Sequence, residues 1–384
     1  MEVESGLPIT PLLMNNSQII TQMTQHKQRI QGYDVARALA VFIMIIVHFN
    51  LVLANTNNTE SILASLLNMI QGKGAALFVV IAGAGISLMI KNNLLFNDKI
   101  RLKEKQVLLF KRAAFLFVFG LMFTLVWPAD ILHSYGCYIL IGAIAMTRQS
   151  VYLWIGILLL IFSYPFILEF VDYEKGWNWL NVEYTDLWSL NGFMRNFFIN
   201  GFNPVVPWVA FILVGIWLGR QNMHSKYIRN TILGVSTTVF VLIQMVSKRL
   251  VEASQNFIHL TSGEALSLFG TEPMPPLPLF MISGISWAFM IITLCIWGTD
   301  KLKHTSICNF FVKTGQMAFT HYISHVVIGL IICIIIFGEN NLTQWHAVIL
   351  ALIYCSICMV FSVLWGKKYK KGPMSMFIRY VTKT

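Results

Sequence analysis

Apolar runs of about membrane-spanning length recur along this chain, and that repetition constrains the fold more than any motif. About ten are legible, at 36–55, 74–91, 112–127, 131–147, 151–170, 205–219, 229–247, 278–298, 314–337 and 344–365. A helix that crosses the hydrocarbon core needs roughly 20 such residues, and in lipid the backbone must satisfy its own hydrogen bonds. The region 112–147 is the least regular, because Pro128-Ala129-Asp130 leaves room only for a very short hairpin. The expected fold is therefore all-α, a polytopic membrane bundle of about ten transmembrane helices. Composition agrees where it bears on solvent. Charged residues are 12% of the chain, against about 25% in soluble domains, and mean hydropathy is +0.66. A set of soluble domains, a disordered chain, collagen and a small disulfide scaffold are all excluded.

The net charge of +11 is distributed as a membrane protein requires, so it does not point to nucleic acid. Lys91, Lys99, Arg101, Lys103, Lys105, Lys111 and Arg112 crowd the loop 91–112, and Lys367, Lys368, Lys370, Lys371, Arg379 and Lys383 follow the last span. The positive-inside bias places both segments in the cytoplasm, and ten spans put both termini there. Residues 1–28 read as a flexible cytoplasmic leader without the apolar stretch of a cleavable signal. Residues 29–366 then form one membrane domain, and 367–384 a basic cytoplasmic tail. The loops 171–204 and 248–277 face outward. The first carries Trp177, Trp179, Trp188, Asp172, Glu174, Glu183 and Asp186, and reads as an interfacial belt or a lid. Six scattered cysteines, including the Cys355/Cys358 pair inside a span, read as packing residues.

Ionisable groups inside spans are costly and mark function by default. The first span opens with Arg29, Asp34 and Arg37 and contains His48. Arg37 and His48 are separated by about 16 Å along a helix at 1.5 Å per residue, which suits a ligand with an anionic head and a reactive end deep in the bilayer. The plain alternative pairs Arg37 with Asp34 and makes His48 a packing residue. His321 and His325 are four residues apart on one helix face. No third ligand is apparent, so a hydrogen-bonding or proton-transfer role is expected and no metal. His133 follows Asp130 at the outer end of the fourth span. Gly83, Gly85 and Ser87 suit close helix packing. No Walker loop, HExxH, GxSxG or dinucleotide fingerprint is present.

The opening pattern Arg29-x4-Asp34-x2-Arg37-Ala38-x9-His48 resembles the first helix of the transmembrane acyltransferases. That group includes the type 3 acyltransferases and the heparan-α-glucosaminide N-acetyltransferase family. Leu77 to Ser87 looks like the group's second helix, and Gly315 to His325 is similar to its late helix ending in tyrosine, two residues, histidine. The stretch from Arg112 through Asp130 to Tyr135, the segment from Asn203 to Arg220, and Gly372-Pro373-x5-Arg379 resemble the YeiB-type bacterial membrane proteins of the same superfamily. Departures are Ala38 where glycine is usual, and Ser375, Met376 and Phe377 where an acid and tryptophans are usual. His48 and His325 stand where the YeiB-type branch often lacks histidine.

The resemblance implies transfer of an acyl group, by family default acetyl, from cytoplasmic acyl-CoA to a hydroxyl or amine at or across the membrane. The acceptor would be a glycan, a lipid-linked sugar or a small metabolite. Coenzyme A phosphates require a basic mouth, for which Arg29, Arg37, Lys111, Arg112 and Arg379 are placed by topology. His48 is the expected general base or acyl carrier, with His325 or His133 as partner. Tyr322 or Ser87 would serve a developing oxyanion, and Asp34, Asp130 and His321 would orient the others. Analogy further implies membrane lipid as surroundings, a homodimer, and a bacterial inner membrane, although Asn57-Asn58-Thr59 and Asn341-Leu342-Thr343 match glycosylation sequons. Two other classes fit the residues alone. One is a transporter or flippase of an anionic or sugar-like substrate, disfavoured by the lack of a pair of broken spans. The other is a membrane scaffold whose polar groups only join helices.

Overall fold

The computed structural model of the chain describes residues 29–55, 62–179, 182–303 and 305–383. The expected leader, 1–28, and the sequon at Asn57 lie outside the described residues. The described chain is helical nearly throughout: α1 (Gly32–Leu53), α2 (Ile62–Ile70), α3 (Lys73–Leu95), α4 (Lys99–Phe123), α5 (Leu132–Ala145) and α6 (Ser150–Leu168) come first. A two-stranded antiparallel ladder, β1 (Trp177–Asn178) and β2 (Glu183–Tyr184), precedes α7 (Leu190–Arg195), which continues as a π-helical turn over Asn196–Asn200. There follow α8 (Val205–Arg220), α9 (Lys226–Phe257), α10 (Ser262–Phe269), α11 (Pro278–Leu302) and α12 (Ser306–Gln316). α13 (Ala318–Ser324), a π turn over His325–Leu330, α14 (Ile331–Phe337), α15 (Gln344–Lys368) and α16 (Pro373–Thr382) complete the chain.

Among the described residues eight helices are long and apolar enough to cross a membrane. A ninth results if the pair Leu190–Asn200 and Val205–Arg220, bent by 44°, is one span. The remaining expected span is α5, apolar but only 14 residues long, about 21 Å of helix against a hydrocarbon core of about 30 Å. The bend at α7–α8 and the π turn inside the 20-residue span Ala318–Phe337 are breaks that apolar periodicity does not report.

Boundaries moved where charge met helix. The basic segment 91–112 was expected as loop, yet α4 begins at Lys99, with the Asp98 carboxylate accepting from the Arg101 backbone N–H as an N-cap. Lysine, arginine and glutamate are good helix formers, and the apolar criterion sees only the lipid-facing half of such a helix. For the same reason α9 runs to Phe257, and α10 occupies part of the expected outer loop 248–277. The tail likewise contains α16, packed on α4 and α13.

α1 is the central element, in contact with α3, α11, α12 and α15. It passes so close to the end of α12 that a Cβ on Gly315 would lie 1.8 Å from the Asp34 carbonyl oxygen. α3 and α8 meet through Gly83, whose Cβ would be 2.2 Å from the Ile212 carbonyl oxygen. Such small-residue seams let helices pack where lipid offers no hydrophobic drive. Gly85, expected to serve the same seam, instead faces open space, whereas Ser87 does lie in it, against Gly219. The start of α1 and the chain after α15 line one cavity, so both ends of the described chain lie at one end of the bundle.

Candidate active site

Six cations converge at that end. Arg29 and Arg37 from the start of α1, Arg112 from α4, Lys370 and Lys371 beyond α15, and Arg379 from α16 line a cavity of about 510 Å³. Its inner wall is apolar and aromatic, with Phe78, Leu116, Tyr135 and Phe319 among its residues. A smaller lobe of about 290 Å³ shares Arg29 and Arg37 and reaches Lys91 and His224. Asp34, buried below the mouth, holds two of the cations in place: its Oδ1 accepts from Arg29 at 2.8 Å and from Arg37 at 3.0 Å. Pairing with Asp34 and facing the cavity are thus compatible for Arg37. Lys371 titrates below its ordinary value, first because it is partly desolvated and then because Arg379 and Arg112 repel a further charge. Lys111 lies outside this cavity, exposed on the other side of α4, because one residue of helix turns a side chain by about 100°.

The second feature lies deeper, on helices that line the mouth. His48 and His325 meet, the Nδ1 of His48 lying 2.8 Å from the Nε2 of His325 with the rings stacked. The direction of this bond follows from the next one. His325 Nδ1 is bonded to the Tyr322 backbone carbonyl, which can only accept, so Nδ1 carries the proton. In neutral His325 the Nε2 lone pair must then accept from the Nδ1–H of His48. That leaves the lone pair of neutral His48 at its own Nε2. The π turn that starts at His325 sets the angle of this ring, and π turns in helices are often found at functional sites. Trp127 closes the group: its ring lies 4.8 Å from that of His48, and its indole N–H is buried without a partner.

A third group fixes the second. The Tyr322 hydroxyl donates to Asp130 Oδ1 at 3.0 Å and accepts weakly from the Ile131 N–H at 3.3 Å. The other carboxylate oxygen, Asp130 Oδ2, accepts from the Leu132 N–H at 2.8 Å. Tyr322 therefore ties α13 to the α4–α5 hairpin, and its hydroxyl is committed. His133 belongs to this group, 3.5 Å from Asp130 and tilted over Phe197, whereas His48 pairs with His325. His321 points elsewhere again, its Nε2 at 2.7 Å from Ser362 Oγ, so the two imidazoles spaced by four residues do not share a ligand. Among the described residues no cluster of three metal-ligating side chains occurs.

At the opposite end the described residues of 171–204 form a folded cap. Buried Asn200 organises it, donating to the carbonyls of Tyr173 and Lys175 and accepting from the Tyr184 hydroxyl. Trp177 packs between Trp179 and Tyr184, and Arg195 grips Asp186 with two bonds.

Residues 29–251, more than half of the chain, match the family described as heparan-alpha-glucosaminide N-acetyltransferase, catalytic. The chain belongs to this transmembrane acyltransferase family. Residues 217–384 also match a family described as a protein of unknown function, DUF418. Uncharacterized protein YxaH of Bacillus subtilis (strain 168) is 23% identical over 421 residues, covering 94% of this chain and 96% of that protein. The acyltransferase match contributes His48, Arg37 and Arg112, and the DUF418 match contributes His325, Tyr322 and Arg379. The mouth and the imidazole pair are therefore assembled across both matched regions of the chain. Three lining or neighbouring residues escaped the sequence reading as site residues. Lys370 and Lys371 had served only to orient the chain, and Trp127 carries no signal beyond preceding a turn.

Proposed function

We propose that this integral membrane protein transfers an acyl group, acetyl in the simplest case, from acyl-CoA to a hydroxyl or amine acceptor. The observation that carries the reading is a six-cation mouth with an imidazole pair, half-buried His48 and buried His325, deeper on helices that line it. Coenzyme A bears a 3′-phosphate and a diphosphate, and Arg29, Arg37, Arg112, Lys370, Lys371 and Arg379 supply the opposite charge, in excess of what Asp34 neutralises. The buried, unpartnered Nε–H of Arg112 fits an anion that completes its bonding. The positive-inside bias supports a cytoplasmic mouth, where acyl-CoA is made, and with it the reading of a bacterial inner membrane with both termini on that side. The pantetheine arm then runs along the apolar wall past Phe319. Tyr322 follows one helical turn later, and His48 lies about 16 Å beyond Arg37 along α1.

In the reaction His48 Nε2 accepts the proton of the acceptor O–H or N–H as that atom bonds to the thioester carbon. The imidazolium charge is shared through His48 Nδ1–H to His325 and held by the Tyr322 carbonyl. Trp127, whose ring lies beside that of His48 and whose buried N–H has no partner among the described residues, serves the oxyanion. The carbon–sulfur bond then breaks, and the departing thiolate recovers the proton from His48. Tyr322, Asp130 and His133 position the pair rather than react. The acceptor approaches from the capped end, as a glycan, lipid-linked sugar or small metabolite.

Transport without covalent chemistry has one feature in its favour, the break between α7 and α8. A single assay separates the readings: release of free thiol from acetyl-CoA by the purified protein with a panel of amino-sugar and hydroxylated acceptors. Acceptor-dependent thiol release abolished by His48→Gln supports acyl transfer. Acceptor movement across vesicles without thiol release supports transport.

A further inference from the structure

Beside the mouth, on the outer side of α4, lies a second feature that shares only Arg112 and Arg379 with the donor cavity. A groove of about 750 Å³ runs between the first half of α4 and α16, and its cations are Lys103, Lys105, Lys111, Arg112 and Arg379. Glu104 is the only acid in its lining. None of the five cations forms an ion pair among the described residues. The groove is also apolar: Ile100, Val107 and Leu108 share its wall, with Ile100 76% and Val107 44% exposed. Exposed Leu95 and Phe96 come just before α4, and exposed Phe377 and Tyr380 lie on α16, as expected where a helix end and an amphipathic helix meet the bilayer interface. A soluble anion needs the cations and gains nothing from the apolar wall; an acyl chain needs the wall and gains nothing from the cations. Only an anionic amphiphile uses both, and clusters of lysine and arginine beside a membrane helix attract such headgroups.

We infer that the α4–α16 groove is a binding site for an anionic glycerophospholipid, its phosphate held by Lys103, Lys105 and Lys111 and its acyl chains laid on Ile100, Val107 and Leu108. The site is separate from the donor cavity, although Arg112 and Arg379 border both, so its test does not depend on the acyltransferase reading. Dihexanoyl phosphatidylglycerol, below its micelle concentration, is titrated into the full-length detergent-solubilised protein and compared with dihexanoyl phosphatidylcholine and with inorganic phosphate. The wild type is expected to bind phosphatidylglycerol at least ~10-fold more tightly than either comparison ligand. Each basic residue near an anionic surface strengthens attraction roughly fivefold. The triple variant Lys103→Gln/Lys105→Gln/Lys111→Gln should therefore lose on the order of 100-fold. Val107→Gln, which leaves every charge in place, should weaken the lipid and leave phosphate unchanged. The charge-matched variant Lys226→Gln/Lys301→Gln/Lys303→Gln should bind as the wild type does. Equal affinity for the two lipids, phosphate binding as tight as the lipid's, or an equal loss in the charge-matched variant would overturn the assignment.

Discussion

Replacing His325 by phenylalanine isolates the part of the imidazole pair that the structure makes most specific. The ring volume is nearly kept, but His48 Nδ1–H loses the acceptor it holds at 2.8 Å, and the Tyr322 carbonyl loses its donor. When His48 accepts a proton, the bond from its Nδ1 becomes charge-assisted, and such bonds contribute about 1.5–3 kcal/mol. At 1.36 kcal/mol per decade the turnover number should fall roughly 10- to 150-fold. His48→Gln removes the base itself and should cost about 10²- to 10⁴-fold. Because the two act as one unit, the double variant should be no slower than His48→Gln alone. The assay is thiol release from acetyl-CoA at saturating donor, with donor affinity measured in parallel and expected to be unchanged. A His325→Phe protein with full turnover, or losses that multiply in the double variant, would refute the relay and return His325 to packing.

Other outcomes follow from single contacts. Trp127→Phe keeps the ring beside His48 but deletes its buried N–H, and should reduce turnover about 10²-fold, a single oxyanion donor's share, with donor affinity intact. Arg112→Gln should weaken acetyl-CoA binding roughly 10-fold or more and flatten its dependence on salt, while Lys111→Gln, facing away from the cavity, should leave it unchanged in titration calorimetry. Gly83→Leu forces side-chain atoms into the α3–α8 seam, where even a Cβ would lie 2.2 Å from a carbonyl oxygen, and should destabilise the protein by about 1–3 kcal/mol or more, seen as a lower unfolding temperature. Gly85→Leu has open space around its Cβ; it should leave that temperature unchanged and raise the donor KM by intruding on the cavity.

The same glycine pair shows what the sequence made legible. Apolar runs located the long spanning helices but not α2, α7, α10 or α16, and Arg37 and His48 do share one unbroken helix, α1. Facing is harder. Gly83 and Gly85 differ by about 200° around α3, and Lys111 and Arg112 by about 100°, so neighbours in sequence serve opposite surfaces once a third helix decides the inside. His321 and His325 read as one face of one helix. Their partners, Ser362 and His48, nevertheless come from two different helices that no local pattern connects. The cap was legible only as aromatic and acidic, because its fold depends on the bonds that Asn200 gathers from residues 16 to 27 positions away.

Calorimetric titration of acetyl-CoA into the purified protein, with Arg37→Gln and His48→Gln alongside, tests the central claim most directly. The account predicts micromolar binding by the wild type, a loss of about 10-fold or more in Arg37→Gln, and intact binding without thioester turnover in His48→Gln. A well-folded wild-type protein that binds no acetyl-CoA would contradict it.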